Sequence, residues 1–205
     1  MEQNKLIIGL TGGISTGKST ATSYLLSLGY EVIDADVGAR VVVVPGSEGL
    51  KKLSDQFGNG ILNNLGELDR EALAKKIFPN ERNRLILNNI IHPLVYKWML
   101  EEYEKIDSNI VFFDIPLLFE SNVINSDIIK FDEIWLISSS KNTQINRLMK
   151  RDNIDEAYAL KKIDSQLALD IKSAKADRVF NNDASREELF SQLYDACKSL
   201  ERKVI

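Results

Sequence analysis

Lys5-Leu6-Ile7-Ile8-Gly9-Leu10-Thr11-Gly12-Gly13-Ile14-Ser15-Thr16-Gly17-Lys18-Ser19 is the stretch that decides the fold. Its first half is a short apolar run with Ile and Leu on both parities. That pattern predicts a strand buried on both faces, as in a parallel sheet. The run stops at Gly12-Gly13, and from Gly12 to Ser19 the chain matches G-x-x-x-x-G-K-S/T in full. Beyond it Ser19, Thr20, Ala21, Tyr24, Leu25 and Leu28 follow at helical spacing and end at Gly29. Strand, glycine-rich loop and helix together predict a phosphate-binding loop. Glycines let the backbone curl so that successive N–H groups face phosphate oxygens, and the helix N-terminus adds partial positive charge. Lys18 is expected to reach the β- and γ-phosphates and the Ser19 hydroxyl to ligate Mg²⁺.

Outward from the loop, further strands are expected at Tyr30–Asp34, Asn109–Asp114, Glu133–Ser138 and Arg178–Asn181. Helices are expected over 68–78, over 80–105 with a kink or break at His92-Pro93, and through 141–175. A helix is also expected across the β-branched run after Arg40. A last helix should start at Ser185, where Glu188 completes a capping box. Strands alternating with helices predict an α/β fold, a three-layer P-loop NTPase-type core around a mainly parallel five-stranded sheet. About 75 residues separate the second and third strands, where a one-helix crossover needs only about 30. The reading is therefore a core of 1–44, 106–140 and 176–205, a helical insertion of 45–105 and a helical lid of 141–175.

Composition narrows the chemistry. The chain has 205 residues, with 26 Lys+Arg against 30 Asp+Glu and a formal net charge of −4. It lacks the bulk positive field of a general nucleic-acid binder. With one cysteine, Cys197, and one histidine, His92, neither an internal disulfide nor a Cys/His zinc site is possible. Cys197 reads as a packing residue. No run approaches the roughly 20 apolar residues of a membrane span. Met1 to Asn4 lead into the first strand without signal-peptide shape, so the cytosol is the expected compartment.

A phosphate-binding loop alone does not name an activity. A GTPase needs N-K-x-D, which is absent; Asp55-Gln56-Phe57-Gly58 fits D-x-x-G but precedes any third strand and reads as a loop. Motor ATPases pair an acidic dyad on the strand that here ends Phe112-Phe113-Asp114, with one carboxylate. A small kinase remains, which needs an acceptor site, a base and a lid. Asp34 and Asp36 end the second strand two residues apart, a spacing that projects both to one face beside the loop. Such a pair calls for Mg²⁺ or a proton-donating substrate. Asp36, further along, is favoured as base over Asp34, and a helix cap is the alternative. Arg40 could clamp a substrate phosphate or sit in a surface salt bridge.

At this point the chain resembles dephospho-CoA kinase. Thr11 to Thr20 is similar to the family's T-G-G-I-x-x-G-K-S-T, and Asp34-Ala35-Asp36-Val37-Gly38-Ala39-Arg40 to its D-A-D-x-x-A-R. Pro45-Gly46, Phe57-Gly58, Ile61-Leu62, Gly66, Leu68-Asp69-Arg70, His92-Pro93, Pro116-Leu117-Leu118-Phe119-Glu120, Gln166 and Ala176-Asp177 continue the match in order. The resemblance implies ATP-dependent phosphorylation of the ribose 3′-hydroxyl of dephospho-CoA, with Mg²⁺. It implies ATP binding by Gly13, Ser15, Thr16, Gly17, Lys18, Ser19, Thr20 and Asn182. It implies Asp36 as base, and Asp34, Arg40, His92, Pro116, Leu117 and Leu118 on the acceptor side. Arg147 and Arg151, four apart on one helix face, would close over the transferring phosphoryl beside Lys18. Asp34 and Asp114 would support the metal through water. No nucleic-acid or membrane partner is implied, and the chain is expected as a monomer or weak homo-oligomer. The chain departs from the family's Asp-Asn-x-Gly at Asn181 and Ala184. Two rivals stay open: a P-loop kinase for another acceptor, and an ATP-dependent switch without turnover.

Overall fold

The computed structural model describes residues 5–121, 123–124 and 128–204, so Met1 to Asn4, read above for a signal peptide, lie outside it. In chain order the elements are β1 (Leu6–Gly12), α1 (Lys18–Ser27), β2 (Glu31–Asp34), α2 (Ala35–Val41) and α3 (Glu48–Phe57). A 3-10 turn (Asn59–Ile61), α4 (Arg70–Ile77), α5 (Glu81–Lys105), β3 (Ile110–Asp114) and β4 (Glu133–Ser138) follow. The chain continues with α6 (Lys141–Asp152), α7 (Glu156–Asp164), α8 (Leu169–Ser173), β5 (Arg178–Asn181) and α9 (Arg186–Glu201).

The strands lie in the order β2-β3-β1-β4-β5, and β1 pairs in parallel with both β3 and β4. β5 joins β4, also in parallel. The apolar reading of β1 is explained by this position. Flanked by strands and covered by helices, Ile8 and Leu10 have no exposed area. They pack with Phe112, Trp135 and Ile137, with Ala21 and Leu25 of α1, and with Leu189, Leu193 and Leu200 of α9. Cys197 belongs to the same cluster, and burial pushes its thiol up to about 11, so it is an inert packing residue. The chain leaves β1 where neighbouring connections run to opposite sides, the switch point at which α/β sheets bind ligands. Ser185 caps α9 through the Glu188 N–H, as the sequence predicts.

The chain forms two compact units, 1–33 with 105–205, and 34–104. The second begins at Asp34, where the sequence reading placed its start at 45. Packing gives the reason. A Cβ on Gly38 would fall 2.5 Å from the Trp98 ring, and Val43 is buried with Leu53, Phe57, Ile61 and Leu73. Residues 35–44 thus belong to the helical unit. Its α5 runs through Pro93 without a break. An interior proline costs about 3 kcal/mol. Here Ile86, Leu87, Ile90 and Ile91 pack on the apolar cluster before it, and Val95, Tyr96 and Met99 are buried after it. Asp55 to Phe57 close α3 rather than forming a loop, because Phe57 is drawn into that cluster. In the first unit, residues 141–175 fold as α6, α7 and α8, with Ile145, Leu148 and Ala159 buried together. Among the described residues no helix is long and apolar enough to cross a membrane.

Candidate active site

The loop after β1 is shaped by its own sequence. Ser15 takes a left-handed φ of 57° and Gly17 one of 96°. The Thr16 hydroxyl donates to the Gly13 carbonyl at 2.9 Å and its N–H to the same oxygen at 3.3 Å. Gly17 is required twice over: its φ disfavours side chains, and a Cβ there would lie 2.1 Å from Asn182 Nδ2. Ser19 is exposed and Thr20 half-buried, in the first turn of α1.

Lys18 Nζ pairs with Asp114 Oδ1, while the Thr22 hydroxyl donates to Oδ2 at 2.6 Å. Asp114 is 2% exposed, so its charge is held by a cation and a hydroxyl. Asn182, also buried, donates from Nδ2 to the Thr16 carbonyl at 2.7 Å. Arg147 donates from Nη2 to the Asn182 carbonyl at 2.8 Å. Its Nη1 is buried with no hydrogen-bond partner among the described residues, and the Ser15 hydroxyl is in the same condition. That Nη1 lies 3.9 Å from where a Gly17 Cβ would be. An unspent guanidinium donor beside a phosphate-type loop suits an anionic oxygen. Arg151 is elsewhere engaged, with Asp152 through Nε at 2.8 Å.

The Asn181 and Ala184 departures leave the loop after β5 fastened. Asp183 accepts from the Ser140 N–H at 2.8 Å and from Asn181 Nδ2 at 3.1 Å. The Thr143 hydroxyl above all, with Ser140 and Asn181, holds its carboxyl down at about 2, against burial. Only Ser15 and Asn153 among described non-glycine residues have positive φ, so Ala184 needs no glycine. A cavity of about 570 Å³, in the range of small-ligand pockets, is lined by Gly13, Ser139, Gln144, Leu169, Asn181 and Asp183.

In the Pro116-Leu117-Leu118 turn, the Pro116 carbonyl accepts from the Thr11 hydroxyl at 3.1 Å. Leu117 is 46% exposed and Leu118 fully buried. Sequence reasoning gave no role to Thr22, Gln144 or Lys172. Thr22 could have been found, one helical turn beyond Lys18. Gln144 and Lys172 carried no signal, because only the fold brings them to residues 12–14.

In the second unit, Asp34 and Asp36 do not share a strand face. The strand ends at Asp34, which caps α2 by accepting from the Asp36 N–H at 2.7 Å. Asp36 stands exposed in the first helical turn and Arg40 exposed in the last. A run of small residues and a cap residue turned the chain into a helix sooner than the alternation rule assumed. His92 is half-buried in α5, its ring centroid 5.8 Å from that of Tyr96, and burial lowers its pKa. Among the described residues no group of three or more His, Cys, Asp or Glu could hold a metal ion.

A family model described as dephospho-CoA kinase matches residues 6–188. A dephospho-CoA kinase of Listeria monocytogenes is 44% identical over 190 residues, 91% of this chain and 93% of the relative. A solved Thermus thermophilus structure is 29% identical with a TM-score of 0.81, over 96% of this chain and 98% of that one. A solved dephospho-CoA kinase from Campylobacter jejuni is 25% identical with a TM-score of 0.70, over 97% and 98%. The family model and the relatives match along nearly the whole length, and this chain belongs to the dephospho-CoA kinase family.

Proposed function

We propose that the residues gathered at the β1 loop, with those of the second unit's acidic motif, perform the family's reaction in this chain. That reaction is transfer of the γ-phosphoryl of ATP to the ribose 3′-hydroxyl of dephospho-CoA, giving CoA and ADP. The observation that carries the reading is the loop itself: Lys18 is steadied by Asp114, and Arg147 has an unspent Nη1 beside Gly17.

Phosphoryl transfer asks for positioning and charge more than covalent help. Gly13 and residues 15–20 surround the phosphates, and Asn182 holds the loop from the nucleotide side. Lys18 leaves part of its contact with Asp114 to meet the β- and γ-phosphates. Arg147 and Arg151 neutralise the transferring group; Arg151 exchanges Asp152 for it, a small loss because exposed ion pairs are weak. Asp36 takes the proton of the acceptor hydroxyl late in the step, and Asp34 keeps its cap. Arg40, His92, Pro116, Leu117 and Leu118 serve dephospho-CoA. The Ser19 hydroxyl would hold Mg²⁺ brought with ATP, Asp34 and Asp114 would support it through water, and the ion would supply charge to the phosphates. The cytosol and a monomer or weak homo-oligomer complete the proposal.

The test is to incubate the chain with ATP, Mg²⁺ and dephospho-CoA and to locate the new phosphate by ³¹P NMR. A monoester on the ribose 3′-oxygen supports the reading, and a product modified elsewhere removes it.

A further inference from the structure

The phosphate loop is held from outside by side chains that lie far away in sequence. Ile14, inside the loop, has both backbone groups taken. Its N–H donates to Gln166 Oε1 at 2.9 Å, and its carbonyl accepts from Gln144 Nε2 at 2.7 Å. Gln144 is 3% exposed on α6, and Gln166 lies between α7 and α8. The segment carrying Gln166 is fixed in turn. The next N–H, of Leu167, donates to Glu120 Oε1 at 3.1 Å. That oxygen also pairs at 2.6 Å with Lys172 Nζ on α8. Lys172 has no exposed area, and its ammonium approaches the Gly12 carbonyl at 3.5 Å.

A fully buried lysine is rare and costly unless paired. Here it closes a ring that runs from Gly12 through Lys172, Glu120 and Gln166 to Ile14. The polar groups of the loop are divided by this ring. Ile14 faces the glutamines and the Thr16 N–H bonds the Gly13 carbonyl, so neither is available to an anion, and an anion is left to the N–H groups beyond Thr16. Phosphate loops bind well when their donors are already aimed before the ligand arrives.

We infer that Gln166 and Lys172 are positioning residues that hold the Gly12–Ser15 arch in its phosphate-accepting shape and couple it to α8. The effect falls on the nucleotide and not on the acceptor. The inference rests on the proposed ATP-binding role of the loop.

Two near-isosteric variants test it, Gln166→Met and Lys172→Met, with Glu120→Gln/Lys172→Met to remove both charges together. ATP affinity is measured by calorimetry, KM for dephospho-CoA by steady-state kinetics, and stability by thermal unfolding without nucleotide. Gln166→Met should weaken ATP binding about fivefold to tenfold, the worth of one net hydrogen bond. Its KM for dephospho-CoA should stay within about twofold. The double variant should recover folding lost in Lys172→Met, because it leaves no unpaired buried charge, while ATP affinity stays reduced. ATP affinity within about twofold of the unaltered chain in both Gln166→Met and the double variant overturns the inference. So does equal weakening of ATP and dephospho-CoA, which marks a general loss of structure. If the unaltered chain binds ATP but does not phosphorylate dephospho-CoA, the activity reading fails while the ATP affinities still decide this one.

Discussion

Lys18 and Thr22 divide the two oxygens of Asp114 between them, so the lysine is kept beside the loop until a nucleotide arrives. Lys18→Ala should therefore lower both ATP affinity, read by calorimetry, and kcat. Unchanged affinity would separate this loop from phosphate. Asp36→Asn should act differently. It should lower kcat by about 10² to 10⁴ with ATP affinity nearly intact, since a base is needed only in the transition state. His92 gives a pH signature. Burial lowers its pKa below the ordinary 6.5, so the unfolded chain takes up the proton first as pH falls. The His92 contribution should therefore leave stability intact above 6.5 and lower it as pH falls below. Denaturant unfolding between about pH 7.5 and 5.5 should show a shallower decline in His92→Gln. At this scale the phosphate loop was legible because four fixed positions determine it locally. Asp34 and Asp36 read as sharing one strand face, whereas Asp34 caps α2 and Asp36 lies in its first turn. Strand alternation does not reveal where a strand gives way to a cap.

β4 and β5 are joined through Glu133, which accepts from Trp135 Nε1 at 2.8 Å, Arg178 Nε at 2.7 Å and Lys203 Nζ at 2.6 Å. Burial raises its pKa, but Arg178, Lys203 and Trp135 outweigh that and bring it down to about 2. A carboxylate depressed from 4.5 to about 2 adds stability above 4.5 that is lost as pH falls toward 2. Glu133→Gln should be less stable at neutral pH and should flatten the acid limb over that window in urea-unfolding curves. The loop between β1 and α1 predicts a sharper loss. Gly17→Ala meets Asn182 Nδ2 at 2.1 Å and keeps a φ of 96°. It should weaken ATP binding by well over tenfold, and Asn182→Ala in the same chain should restore it only in part, because the left-handed strain of about 1–2 kcal/mol remains. Strands were legible from apolar runs bounded by glycine and acidic residues. The unbroken α5 was not, since a local rule for proline cannot weigh packing on both sides of Pro93.

Across the whole molecule, the net charge of −4 says little about the loop, where cations are matched with carboxylates one by one. Lys18 and buried Lys172 pair with Asp114 and Glu120, and Arg147 keeps an Nη1 without a partner among the described residues. The mainly parallel sheet and the helices after β2 could be anticipated from the alternation and spacing of strands, but the strand order could not. The boundary at Asp34 could not, because it depends on Gly38 against Trp98 and on Val43 in an apolar cluster, contacts far apart in sequence. The ring of Gln144, Gln166, Glu120 and Lys172 was hidden for the same reason. The most direct test of the account is ADP release measured with dephospho-CoA, adenosine and a nucleoside monophosphate in parallel. The account predicts rapid ADP formation with dephospho-CoA and little with the others. Faster turnover with the monophosphate, or no ADP with any acceptor, would contradict it.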